Sequence, residues 1–198
     1  KHAKAAHVWS CPLVINKATG VKFGKSEAGA IWLDADMTSP YTFYQFWLNI
    51  DDQGAEYYLK IYTLIDKEEL TTLMAQFNDS PQLRTAQKYL AYEATKIVHG
   101  QQAADTAKKI SDVLFGERDA TELNDDDFVS LAKDLPTSDE HNLLDFLVAT
   151  QLAKTKSEAR RLIEQNAVSV NGVKATLETE LQRNSLIKKG KNSFAVRP

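Results

Sequence analysis

The sequence predicts a multidomain, mainly α chain. A short strand-and-loop segment covers residues 1–35, a bundle of five helices 36–134, a polar linker 135–142 and a small α+β domain 143–198. Three observations predict this. Apolar residues recur at helical spacing through the middle of the chain, from Phe43, Phe46, Trp47 and Ile50 to Phe128 and Leu131. The C-terminal stretch instead carries short alternating runs around Asn171-Gly172, a strong hairpin turn signal. Between the two lies Leu135-Pro-Thr-Ser-Asp-Glu-His141, polar and proline-marked.

Taken in order, Cys11-Pro-Leu-Val-Ile15 reads as a strand that turns through Thr19-Gly20 into Val21-Lys-Phe-Gly-Lys-Ser26, and Gly29-Ala-Ile-Trp-Leu33 follows as a returning element. Gly20 and Gly24 suit backbone angles that other residues resist. This segment is too small to hold a core of its own, and it starts at Lys1 rather than Met, so a longer parent protein is expected. Ser39-Pro40 is an N-cap followed by proline at the first helical position. Asp66 and Glu69 form a capping-box-like start for Leu70, Leu73, Met74 and Phe77. Ser80-Pro81 opens the next predicted helix, stopped near Gly100. A fourth runs from about Gln101 to Phe115, and Asn124 caps a fifth. Each has an apolar stripe that must be buried against another, hence the bundle. Beyond the linker, Leu143, Leu144, Phe146 and Leu147 make a short helix, and Thr155 with Glu158 caps another bearing Ala159, Leu162 and Ile163. Val168-Ser-Val170 alternates as a strand, and Ser185-Leu-Ile187 with Ser193-Phe-Ala-Val196 reads as a second hairpin.

Composition narrows the function classes. At 43% hydrophobic and 26% charged the chain has the make-up of a soluble globular protein. No apolar run approaches the roughly 18 residues of a membrane span, and nothing resembles a signal peptide. One cysteine, Cys11, excludes an internal disulfide and fits a reducing cytoplasm. His2, His7, His99 and His141 are scattered without metal-ligand spacing, so no protein-bound metal is expected. The formal charge of -3 hides an asymmetry: residues 143–198 carry ten Lys/Arg against five Asp/Glu, while the remainder is acidic. A basic end on an acidic body points to a C-terminal polyanion surface, or to ordinary fluctuation of charge along a chain.

Two places carry chemistry. Lys22-Phe-Gly-Lys-Ser26 sets two lysines on a glycine-containing loop, an arrangement suited to neutralising charge on a triphosphate and its leaving pyrophosphate. A solvated turn with two ordinary lysines would look the same over five residues. The chain has no G-x-x-x-x-G-K-[ST] cradle, which excludes a P-loop site. At the other end, Lys154, Lys156, Arg160 and Arg161 lie at and beyond the start of a capped helix, where dipole and cations together favour phosphate. Helical periodicity turns Arg161 away from the Ala159, Leu162 and Ile163 stripe, with Lys156 and Arg160 on the flank. Lys174, Lys188, Lys189, Lys191 and Arg197 add charge from the hairpins.

The run from Lys22 to Asp34, followed by Thr38-Ser-Pro-Tyr-Thr-Phe-Tyr-Gln-Phe-Trp-Leu-Asn49, closely resembles the bacterial tyrosyl-tRNA synthetases, a class I family. Ala86-Gln-Lys-Tyr-Leu90 and Val98-His-Gly100 fit the same family, and the resemblance runs from about Pro12 to Pro198. It implies that 1–35 is the end of a catalytic domain bearing the family's Lys-Met-Ser-Lys-Ser-type loop, and that 36–134 is the helical anticodon-binding domain. Lys22 and Lys25 would then contact ATP phosphates during tyrosyl-adenylate formation, with Mg2+ carried by the ATP, and Ser26 would help hold the loop. Leu147 through Gly172, with Ala159-Arg-Arg-Leu-Ile163 and Val168-Ser-Val-Asn-Gly172, resembles the S-four-like RNA-binding domain, which in this family contacts the anticodon stem and long variable arm of its tRNA. Asn166 stands where many members have glycine, and asparagine also accepts a left-handed cap. The chain lacks the His-x-Gly-His signature and the tyrosine pocket of class I synthetases, so it is expected to be inactive alone. Family members are homodimers through the absent half, so this chain is expected to be monomeric.

Other candidates have plainer readings. Asp51, on an acidic turn after the Trp47 helix, is a candidate reader of an anticodon guanine edge, although a helix-ending turn explains it as well. Asp125-Asp-Asp127 complements a helix dipole, and His99 reads as a bundle histidine. Tyrosine tRNA is the partner implied. A non-catalytic protein binding structured RNA through the same domains is the competing class.

Overall fold

The structure, a computed structural model, describes residues 7–17, 19–22, 31–116 and 118–198. Eight α-helices and a four-stranded antiparallel sheet follow one another among the described residues. The helical region comprises α1 (Pro40–Leu48), α2 (Ala55–Tyr62), α3 (Lys67–Asp79), α4 (Thr85–His99), α5 (Gln101–Leu114) and α6 (Asp125–Asp134). That is one helix more than the sequence suggests. The addition is α2, whose tyrosines Tyr57, Tyr58 and Tyr62 are poor helix formers and whose start is hidden in the acidic turn 52–54. Burial decides its state: Ala55, Tyr58 and Leu59 are fully enclosed, and packing outweighs propensity.

Capping signals hold where they are local. Ser39 accepts from the Thr42 N–H with Pro40 at the first turn, Asp66 accepts from the Glu69 N–H, and Asn124 makes a complete capping box with Asp127. The expected start at Ser80-Pro81 is only a single 3-10 turn, Pro81–Leu83. Arg84 then adopts a left-handed conformation, and α4 begins at Thr85. The reason lies elsewhere in the chain: the Arg84 guanidinium donates to the Leu48 and Ile50 carbonyls at 2.6 and 3.1 Å, tying the turn to the end of α1. Helices α1, α2, α3 and α4 enclose an aromatic core of Phe43, Tyr44, Trp47, Tyr58 and Phe77 with Leu59 and Leu90.

The last domain contains α7 (Leu143–Ala149), α8 (Lys156–Glu164), β1 (Val168–Val170), β2 (Val173–Lys174), β3 (Ser185–Lys189) and β4 (Ser193–Arg197), with strand order β2-β1-β3-β4. Asn171 and Gly172 both take positive φ, and Val170 pairs with Val173 across a two-residue turn, as the Asn-Gly signal predicts. Asn166 is left-handed, with φ 55°. Helices α7 and α8 cover one side of the sheet through Phe146, Leu147, Ala159 and Ile163 against Val168, Ile187 and Ala195.

The polar segment between the two regions is not a free tether. Thr137 bridges Val196 in parallel, with Val196 N–H donating to the Pro136 carbonyl at 3.0 Å, and Asn142 bridges Glu180. Side chains complete the join: Leu186, Phe194 and Val196 of the sheet share one buried cluster with Ile110, Leu114, Phe128 and Leu131 of α5 and α6. Sheet and bundle are therefore packed together.

Candidate nucleic-acid interface

Helix α8 is placed by Thr155, whose hydroxyl accepts from the Glu158 N–H at 3.2 Å. Glu158 in turn accepts from the Lys154 N–H at 2.9 Å. Ala159 and Ile163 face the core, which turns Arg160 and Arg161 to solvent. Neither arginine has an ion-pair or hydrogen-bond partner among the described residues. The β3–β4 turn lies against both ends of this helix: Lys189 Nζ donates to the Leu152 carbonyl at 2.5 Å, and Gly190 N–H to the Ala167 carbonyl at 2.9 Å. Exposed Lys191 is carried there with it, and Lys174 Nζ reaches the Asn166 carbonyl at 2.6 Å from β2. Lys154, Arg160, Arg161, Lys174 and Lys191 thus surround α8 with no carboxylate partner among the described residues. A carbonyl bond leaves the charge of Lys174 unneutralised.

Four other predicted cations are engaged differently. Lys156 is ion-paired with Asp145 of α7. Lys188 points into the join between the two regions, donating to the Leu114 carbonyl at the end of α5 (3.1 Å) and lying over the Phe194 ring. It serves the C-terminus of α5, where a cation is favourable. Lys189 is half-buried and fastens β3 to the α7–α8 turn. Arg197 is buried, within hydrogen-bond reach of His141 and the Asp139 carbonyl.

At the other end of the chain, Lys22 is exposed at the edge of a small hairpin. Ile15 bridges Lys22, Asn16 N–H donates to the Val21 carbonyl at 2.8 Å, and Gly20 turns with φ 70°. Lys25 and Ser26, with Gly24, lie outside the described residues. Asp51 is half-buried and its carboxylate accepts from the Gly54 N–H at 2.8 Å, capping the 52–54 turn. It lines a surface pocket with Asn16, Thr19 and Ile31, beside the base of the Lys22 hairpin. The helix-ending-turn reading accounts for this carboxylate. His99 stacks edge-to-face on Phe43 with centroids 5.0 Å apart, and burial lowers its pKa. No group of three His, Cys, Asp or Glu among the described residues could hold a metal.

Sequence reasoning missed what holds the hairpin. Tyr58 donates from Oη to the Ile15 carbonyl at 3.3 Å, and Lys17 Nζ sits 4.0 Å over the Tyr57 ring. The one available signal was a pair of adjacent tyrosines in an unassigned stretch. Asp134 was missed too: it accepts from Ser39 Oγ at 2.6 Å and Thr42 Oγ1 at 2.9 Å, fastening the end of α6 to the start of α1.

The family model "tRNA synthetases class I (W and Y)" matches residues 2–116, more than half of the chain, and the chain belongs to this family. Within it, the model "Tyrosine--tRNA ligase SYY-like C-terminal domain" matches residues 127–196, starting inside α6 rather than after the polar segment. Curated relatives carry the name tyrosine--tRNA ligase: that of Listeria innocua is 44% identical over 80% of this chain and 39% of its own length. That of Staphylococcus haemolyticus is 38% identical over 96% of this chain and 47% of its own. The chain spans less than half the length of these relatives. Among solved structures, a C-terminally truncated mitochondrial tyrosyl-tRNA synthetase of Aspergillus nidulans overlaps 46% of this chain and 25% of that one, at TM-score 0.44 and 38% identity.

Proposed function

We propose that this chain is the tRNA-binding and signature-loop portion of a tyrosine--tRNA ligase, the enzyme that joins tyrosine to its tRNA through an ATP-dependent tyrosyl-adenylate. The observation that carries the reading is the α8 face, where Arg160 and Arg161 stand exposed and unpaired with Lys154, Lys174 and Lys191 around them. A structured RNA meets these cations with its phosphates. The proposed RNA contacts narrow to those five, because Lys156 is neutralised and Lys188 and Lys189 hold the fold together. Lys22 and Lys25 supply charge to the ATP phosphates, with Mg2+ arriving on the ATP. On this reading the chain supplies tRNA binding and the phosphate-contacting loop to the ligase reaction.

Titration of the chain with tyrosine tRNA across a salt series tests the reading. About five phosphate contacts give a slope of log affinity against log salt of roughly -3.5 to -4.5. Arg160→Ala with Arg161→Ala weakens binding about tenfold or more while the fold stays intact. A slope near zero, or a double variant that binds as well as the parent, rejects the assignment.

A further inference from the structure

We propose that β3 clamps the last domain to the bundle in one orientation, with Lys188 and Asn184 as positioning residues for an RNA that touches both regions; this rests on the reading of the α8 face given above. Side chains alternate along a strand, and β3 uses both of its sides. Asn184, Leu186 and Lys188 face α5 and α6, whereas Ile187 and Lys189 face α7 and α8. Lys188 Nζ donates to the Leu114 carbonyl at the end of α5 (3.1 Å). Its neighbour Lys189 donates to the Leu152 carbonyl in the α7–α8 turn (2.5 Å). Two consecutive residues thus tie the end of a bundle helix to the approach of the helix that bears Arg160 and Arg161.

An apolar seam alone would leave the angle between the regions loosely set, because burial has no direction. The Leu186, Phe194 and Val196 seam is instead flanked by polar bonds at both ends of β3. At one end the Asn184 amide donates to the Asp125 carboxylate at 2.6 Å, at the first residue of α6, and Asn184 itself is left-handed with φ 59°. At the other, Lys188 supplies the Leu114 carbonyl with a donor and lies 5.2 Å over the Phe194 ring, which is edge-on to Phe115 at 5.9 Å. The two bonds start four residues apart on the strand, about 13 Å, and two separated points fix a rotation that one would leave open. The cation face reaches this join: Lys174 and Gly190 line one groove with Val113 and Ala120 on the bundle side. Phosphates that span the groove meet cations already held at their final spacing, so less freedom is lost on binding.

The test uses the chain itself, with and without RNA. Residual dipolar couplings of the RNA-free parent fit one alignment for both regions. The double variant Lys188→Met with Asn184→Ala keeps the apolar seam and needs two alignments, while couplings within each region are unchanged. Its affinity for tyrosine tRNA falls about tenfold with a salt slope within about 0.5 of the parent, since no phosphate contact is removed. A short RNA stem-loop that covers α8 alone binds parent and double variant within about twofold of each other. Lys188→Arg, which keeps the charge and a donor, binds the tRNA within about twofold of the parent. A single alignment in the double variant, or two in the parent, overturns the clamp. A slope reduced by about 0.9 in Lys188→Met alone makes Lys188 a phosphate contact and overturns its positioning role. Equal losses for both RNAs mark damage to α8 itself and overturn it too. A parent chain that binds neither RNA with salt dependence rejects the RNA reading instead, and the alignments then decide the clamp alone.

Discussion

The bundle and the last domain treat their positive charges in opposite ways. Along the bundle, five cations meet carboxylates: Lys60 with Glu56, Lys96 with Glu93, Lys108 with Asp112, Lys109 with buried Asp127, and Arg118 with Glu122. Around α8 the only ion pair among the described residues is Lys156 with Asp145, and the arginines beside it face water. Where cations are left without partners matters more to a polyanion than how many there are. The two regions also differ in how they are specified. Caps and turns written within a few residues set α8 and the β1–β2 hairpin, whereas α2 and the join between sheet and bundle depend on contacts from far along the chain.

The join is where this comparison breaks most readily. Leu114 is buried in the cluster shared by both regions, so Leu114→Ala costs about 2–5 kcal/mol in urea unfolding, and both regions lose stability together. Two separate transitions, with the last domain unaffected, would show that the regions are independent. Local specification in the last domain is sharpened by Thr155→Ala, which removes the α8 cap and costs about 1 kcal/mol by the same measurement. Its RNA affinity falls only slightly, because the arginines are held by packing of Ala159 and Ile163 as well. In the bundle, Lys108→Ala leaves RNA affinity unchanged, since Asp112 already holds that ammonium at 2.8 Å; a fall would extend the interface onto α5.

The smallest effect concerns pH. Burial keeps His99 neutral in the fold to lower pH than in the unfolded chain, whose histidine titrates near 6.5. Unfolding below that value takes up a proton, so this contribution to stability is complete above about 6.5 and is lost as pH falls through the depressed folded value. His99→Gln flattens the dependence of unfolding midpoint on pH between about 7 and 5; an unaltered slope assigns the acid sensitivity elsewhere.

Much of the fold was legible from sequence because its signals are short-range. Ser39-Pro40, Asn124, Thr155 and Asn171-Gly172 each act within three residues, and each does in the structure what its chemistry prescribes. The exposed pair Arg160 and Arg161 followed from helical periodicity alone. The roles of Lys188 and Lys189 did not, because a lysine in a hairpin reads as surface charge until the carbonyl it reaches is known, 74 residues away in one case and 37 in the other. Helix α2 escaped for the same reason: its tyrosines are helical only because the Trp47 and Leu59 core closes around them.

The cluster joining Leu186, Phe194 and Val196 to Ile110, Leu114, Phe128 and Leu131 has a practical side. A polypeptide cut at the proline-marked segment would strip the cover from α5 and α6 and leave an open apolar wound flanked by the orphaned carbonyl of Leu114. Such a piece would clump rather than float free, and dissection of this molecule must keep the sheet with the helices it seals.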